Sequence, residues 1–152
     1  MVINVSVNVS KIDNMGAKTR AGVLEYLKTG ADKGVAVASD RVPVDRGAGG
    51  GLLSGIFEPE VENDRVVWGI RDMPHARPIE EGTAPGHYPP LEPLQEWAQR
   101  IGKDKGFGWW VARVKIPEEG IEPQPYIAPG RDAQLRYYRS HDASDFIDRQ
   151  FR

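Results

Sequence analysis

The sequence predicts an α+β fold: a long N-terminal helix packed on a small antiparallel sheet, with short helices and proline-rich extended arms. Three observations carry this. Residues 2–9, "VINVSVNV", alternate apolar and polar side chains with period two. The stretch from Lys11 to about Ser39 changes to a spacing near 3.6, through Ile12, Met15, Val23, Leu27, Ala31, Val35 and Ala38. After a glycine cluster, two β-rich runs flank "ENDR", a group of turn formers.

Taken in order, the first strand puts Ile3, Val5, Val7 and Val9 on one face, with Asn4, Ser6 and Asn8 on the other. Ser10 or Asp13 then supplies an oxygen to cap a helix. That helix contains Gly16, Gly22, Gly30 and Gly34, each costing up to about 1 kcal/mol relative to alanine. It therefore has to form by packing against something. Pro43 ends it, because the residue before a proline is driven out of the helical region.

Leu52–Val61 and Arg65–Arg71 read as a hairpin, with Glu58, Glu60 and Glu62 along one edge. The proline-dense "MPHARPIEEGTAPGHYPPLEP" reads as a stiff irregular segment, with a short strand or turn at Ala76–Glu81. Leu91–Ile101 is a short helix with Pro93 in its first turn. Phe107, Trp110, Val111 and Val114 mark a second helix with Trp110 in the core, which Pro117 stops. "EEGIEPQPYIAPG" is extended again, and the segment from Arg131 is helical with a break near Ser140–Asp142. This organisation gives one domain over residues 1–135 and a helical or extended tail over 136–152.

Composition excludes several functions. The chain has 152 residues, a formal net charge of −2 and no cysteine. Disulfides, thiolate metal sites and cysteine nucleophiles are thereby ruled out. The charge offers no general attraction to nucleic acid or anionic lipid. No apolar run approaches the roughly 20 residues of a membrane span, and the N-terminus lacks the pattern of a signal peptide. A protein made and used in a reducing cytoplasm, or in a particle assembled there, is expected.

Candidate chemistry is thin. "VPVDRGAGGGLLSG" concentrates Gly47, Gly49, Gly50 and Gly51, but no lysine lies between Lys33 and Lys103, so a P-loop fails. The dinucleotide fingerprint fails too, because Ser54 stands where its third glycine belongs. A hinge is the better reading of these glycines. His75 with Glu80 and Glu81 has the residue types of a metal site, yet Pro74 and Pro78 oppose a common helical face. Ser54 lacks a nucleophile elbow. Trp109 with Arg113 and Lys115 suits base stacking on a basic surface, which makes a small nucleic-acid-binding module the alternative function. No catalytic residue, cofactor or metal is expected.

Three motifs, in this order, resemble one family. "VPVDRG" followed by "LLSGI" is similar to V-P-V-D-T-G-x-L-x-x-S-I; "HARPIEEGTAPGHYPPLEPLQEWAQR" to Y-A-x-x-x-E-x-G-T leading into P-P and a Trp-bearing helix; and "GIEPQPYIAPGRDA" to G-I-x-P-x-P-F-L-x-P-A. Together, across about residues 11–135, they resemble the neck or tail-completion proteins of tailed phages, known also as head–tail joining or lambdoid minor tail proteins.

The resemblance implies a non-enzymatic virion part, assembled in the host cytoplasm, that forms a homo-oligomeric ring at the head–tail junction. Six subunits follow by analogy with tail symmetry, with twelve as the alternative. Its partners would be itself, the head connector or stopper, the tail terminator or tail-tube proteins, and DNA passing without sequence-specific contact; no membrane is involved. Carried over, Pro43, Asp45, Glu81, Gly82, Thr83, Pro125, Tyr126 and Ile127 become signature or interface positions, with Trp109 as a further interface anchor. Arg46 replaces the usual hydroxyl residue, Ala48–Gly51 is extra length, and His75 stands where tyrosine is common.

Overall fold

The computed structural model describes residues 3–8, 16–43 and 51–152. It is α+β, as expected, and divides into two compact units: Met1–Arg41 with Ile56–Asp72 and Tyr126–Arg152, and Val42–Gly55 with Met73–Pro125.

The first unit holds a three-stranded antiparallel sheet in the order β1-β3-β2, built from β1 (Ile3–Asn8), β2 (Ile56–Glu62) and β3 (Arg65–Ile70). Glu62 pairs with Arg65 across Asn63 and Asp64, whose φ values of 45° and 63° make the tight turn that matches strand twist. A register shift between Phe57 and Glu60 brackets Pro59, which has no N–H to give the ladder. This bulge also interrupts the acidic edge: Glu58 is solvated, while Arg71 reaches Glu60 at 2.5 Å and Glu62 at 3.7 Å and lies over the Phe57 ring. The Leu52–Val61 strand is shorter than predicted. Its first four residues form α2 (Leu52–Gly55), because the Gly51 carbonyl accepts both the Ser54 N–H and the Ser54 Oγ–H.

α1 (Ala17–Arg41) is the long helix, and the packing it needed is in place. Leu27, Ala31, Val35 and Ala38 are buried as the periodicity predicts. Ile12, Met15 and the two predicted caps, Ser10 and Asp13, lie outside the described residues. The glycines are the surprise. Gly22, Gly30 and Gly34 are buried at intervals that place them, with Tyr26 and Ala38, along one stripe. α7 (Ile127–Ser140) and α8 (Ser144–Arg149) lie along that stripe. A Cβ on Gly30 would meet the Tyr138 ring, one on Gly34 would sit 2.7 Å from the Trp68 indole, and one on Gly22 would sit 2.6 Å from the Ile147 Cα. Residues that weaken the isolated helix thus create its docking surface. α7 also corrects the expectation of an extended chain through 130: helix begins at Ile127, with Pro129 in the first turn where a missing N–H is tolerated.

A buried polar chain ties this unit together. Trp68 Nε1–H donates to Gln134 Oε1 at 2.8 Å, Gln134 Nε2–H donates to the Tyr138 hydroxyl at 2.9 Å, and that hydroxyl donates to the Leu27 carbonyl at 2.6 Å. The Tyr26 hydroxyl lies 2.9 Å from the His141 carbonyl. Burial holds the Tyr138 hydroxyl neutral, up to about 12, against an ordinary value of 10.0. Tyr26 is raised as well, by burial first and by Tyr137 and Asp142 next. The unfolded chain therefore releases these protons at lower pH than the folded one. Stability is full below pH 10.0 and falls as pH rises towards about 12. Urea midpoints measured across that window should drop, and the drop should be shallower in Tyr138→Phe.

The second unit is mostly helical: α2, α3 (Ala76–Glu81), α4 (Leu91–Arg100), α5 (Lys105–Trp110), a π-helical turn (Val111–Lys115) and α6 (Ile116–Glu119). α3 replaces the predicted short strand or turn. Pro78 sits in its first turn, where no donor is needed, the Ile79 N–H closes on the His75 carbonyl, and Arg77 Nε pairs with Glu81 one turn on at 2.7 Å. Asp104 caps α5 through the Phe107 N–H at 2.8 Å.

Pro117 does not stop the helix, contrary to expectation. A proline in an α-helix clashes with the carbonyl four residues back and leaves it without a donor. Here the turn before it widens, so that the Ile116 N–H reaches the Val111 carbonyl, and helix continues to Gly120.

Candidate functional site

Two of the three motifs meet in the second unit as a backbone clasp. Thr83 and Ile121 exchange both main-chain hydrogen bonds, at 2.9 and 3.0 Å. Above and below them the Gln124 N–H donates to the Ile79 carbonyl at 2.7 Å and the Gly86 N–H to the Pro117 carbonyl at 2.8 Å. The clasp demands its glycines. Gly82 has φ 73° and Gly120 φ 78°, both in the region that side chains avoid. A Cβ at Gly82 would sit 2.6 Å from the Ile121 carbonyl oxygen. At Gly120 the same atom would run into the Thr83 carbonyl oxygen. The Thr83 hydroxyl is buried with no hydrogen-bond partner among the described residues. Glu81, the first residue of E-G-T, is held by Arg77 rather than by the clasp.

The third motif continues into α7. Pro125 is exposed, while Tyr126 is fully buried and Ile127 nearly so. The boundary between the two units falls between Pro125 and Tyr126. Of the first motif, Pro43 follows the end of α1 and is half-buried, and Gly51 precedes α2. Asp45 and the glycines expected to form a hinge, Gly47, Gly49 and Gly50, lie outside the described residues.

The clasp holds out an exposed loop. Ala84, Pro85, Gly86, His87 and Tyr88 are all solvent-facing, with Tyr88 at 64 % exposure. Its far end is tied down by Arg113, whose Nη1–H donates to the Pro89 carbonyl at 2.9 Å. Arg113 is therefore half-buried and engaged in structure, and Lys115 lies over the Trp110 ring at 5.9 Å. The three residues of the base-stacking reading share one helical stretch: Trp109 is turned outward at 49 % exposure and Lys115 is exposed, but Arg113 is held in the structure.

Trp110 corrects its expectation: it is 42 % exposed and not in the core. The cause is Gly108, where a Cβ would lie 2.6 Å from the Leu94 carbonyl oxygen and the Gln95 Cα. α4 and α5 cross at that glycine, so the face with Gly108, Val111 and Ala112 goes inward and both tryptophans turn out. Sequence periodicity misses this because it scores glycine as neutral, whereas close helix crossing favours it. The result is an aromatic row: Trp97 stacks on Phe107 and Phe107 meets Trp110, each at 5.9 Å, with Lys103 beside Phe107.

Among the described residues no three His, Asp or Glu side chains gather as metal ligands. His75 precedes α3, His87 is on the exposed loop, and His141 stacks on Tyr137 at 4.1 Å. The geometry is that of a presentation surface: pinned backbone, exposed aromatic and proline side chains, and flanking charges.

Comparison with family models, with curated proteins and with solved structures returned no match.

Proposed function

We propose that the chain is a structural virion protein of a tailed phage, a ring-forming adaptor at the head–tail junction that joins connector to tail and lines the DNA channel. The observation that carries this reading is the clasp. E-G-T and G-I-x-P-x-P lie about forty residues apart, and the fold makes them one feature at Thr83 and Ile121. Motifs that resemble a single family are better explained as parts of one structure when they pair in space. The long helix on a small antiparallel sheet also agrees with that family's fold.

The physics of a ring subunit fits. Head-to-tail contacts use two different patches on each copy and close by rotation. Segments already fixed by prolines and backbone bonds lose little entropy on docking. A net charge of −2 suits a wall that DNA must pass without adhering.

The test is composition and assembly. Mass spectrometry of purified virions should find the chain at low copy number, and mass photometry of concentrated protein with its neck partners should show a ring. A chain missing from virions, and monomeric beside every connector and tail-end protein, refutes the proposal.

A further inference from the structure

The second unit carries two exposed surfaces of matching chemistry, and neither is covered by the other. One is the loop 84–90. It is pinned at Gly86 and Pro89 by the bonds to Pro117 and Arg113, and Pro90 has φ −54° and ψ 135°, the polyproline conformation. The other is the outer face of α5, with Trp109 and Trp110 at its end and Lys105 one turn before Trp109. Aromatic-lined surfaces recognise polyproline segments, because such segments are already extended and stiff. Tyrosine and tryptophan are also the residues that most often dominate interface energies.

We infer that the loop 84–90 of one copy docks, through Tyr88 and its following prolines, on the Trp109–Trp110 surface of a second copy. This rests on the ring reading and names its contact. Within one copy the two surfaces leave each other open, since Tyr88 keeps 64 % and Trp109 49 % of its accessibility. The contact therefore pairs unlike patches, the arrangement that propagates around a ring. Charge favours the same pairing. The loop itself carries no Lys, Arg, Asp or Glu and leads into exposed Glu92, whereas the tryptophan surface is edged by exposed Lys103, Lys105 and Lys115, with the one intervening carboxylate, Asp104, engaged in capping α5. Acid after the prolines of one copy and lysines around the tryptophans of the next bring the two unlike surfaces together in one orientation.

The absence of cysteine gives a clean test. His87→Cys places a thiol on the loop, and Lys105→Cys places one beside Trp109. Full-length copies of the two variants, mixed under mild oxidation, should form a disulfide-linked pair that neither variant forms alone. Adding Trp109→Ala to the Lys105→Cys copy should abolish the link, while circular dichroism shows the fold retained, because Trp109 is at the surface. Oligomers seen by mass photometry without this cross-link would overturn the contact and leave the ring reading standing. Cross-linking of His87→Cys with itself alone would overturn it too, by showing like patches meeting. A chain that stays monomeric throughout overturns both.

Discussion

Trp68→Ala is expected to lower the free energy of unfolding by about 3–5 kcal/mol, the range for removing a large aromatic side chain from a packed core. Trp68 is fully buried on the central strand. Its indole packs against both α1 and α7: a Cβ on Gly34 or on Gly130 would each lie 2.7 Å from it. Both helices present glycine there, so neither of those two positions has a side chain to take up the space. The substitution also strands the Gln134 amide oxygen, which accepts the indole N–H at 2.8 Å. Urea unfolding followed by circular dichroism measures the effect as a lower midpoint. Trp68→Phe separates the two contributions. It keeps most of the packing and loses the donor, so its cost should be smaller, about 1–3 kcal/mol for an unsatisfied buried acceptor. Equal midpoints for wild type and Trp68→Ala would contradict the packing described.

The second large effect is at Gly120. Gly120→Ala combines two penalties: backbone at φ 78° and ψ −162°, a region kept almost wholly for glycine, and a methyl group driven against the Thr83 carbonyl. Strain of about 1–3 kcal/mol and overpacking of similar size together predict a loss of about 2–6 kcal/mol from the clasp. Because the Thr83 and Ile121 amides are the ones released, amide hydrogen exchange should show their protection fall first. Gly86→Ala is the matching control. Gly86 also has positive φ, 93°, but nothing lies within 4 Å of its missing Cβ. Only the conformational part remains there, so the loss should be roughly 1–2 kcal/mol. Similar exchange in the Gly120 and Gly86 variants would mean that the clasp does not depend on close approach at Gly120.

Local chemistry was readable wherever the residue itself sets the backbone. Alternation in "VINVSVNV" gave β1, and "ENDR" gave the hairpin whose turn uses Asn63 and Asp64 at positive φ. The break after Ser140 was visible in its polar composition. At Ala76–Glu81 and at Ile127–Gly130 the prolines argue locally against helix, yet both fall in a first turn where the N–H has no work to do. At Pro117 the backbone adjusted by widening one turn, a response that depends on the whole helical stretch from α5 to α6. The inward-facing set on α5 was misassigned because Gly108, and not the larger Trp110, marks the crossing with α4.

The candidate site was legible in the same uneven way. E-G-T and G-I-x-P-x-P-Y could be picked out as motifs, and Trp109 as an exposed anchor. That Thr83 pairs with Ile121, and that Tyr88 is the most exposed large hydrophobic side chain among the described residues, could not be picked out.

By itself the sequence determined the α+β class, the long helix, the hairpin and the absence of cysteine chemistry, because periodicity, turn preference and composition act over a few neighbouring residues. Only the tertiary structure decided what the glycines are for. Gly22, Gly30, Gly34, Gly108 and Gly130 weaken the elements they stand in, and they are buried because another backbone or ring occupies the space a side chain would take. Gly82 and Gly120 add a backbone conformation that only glycine holds cheaply. That value is a property of the neighbour across the contact, which no local pattern contains.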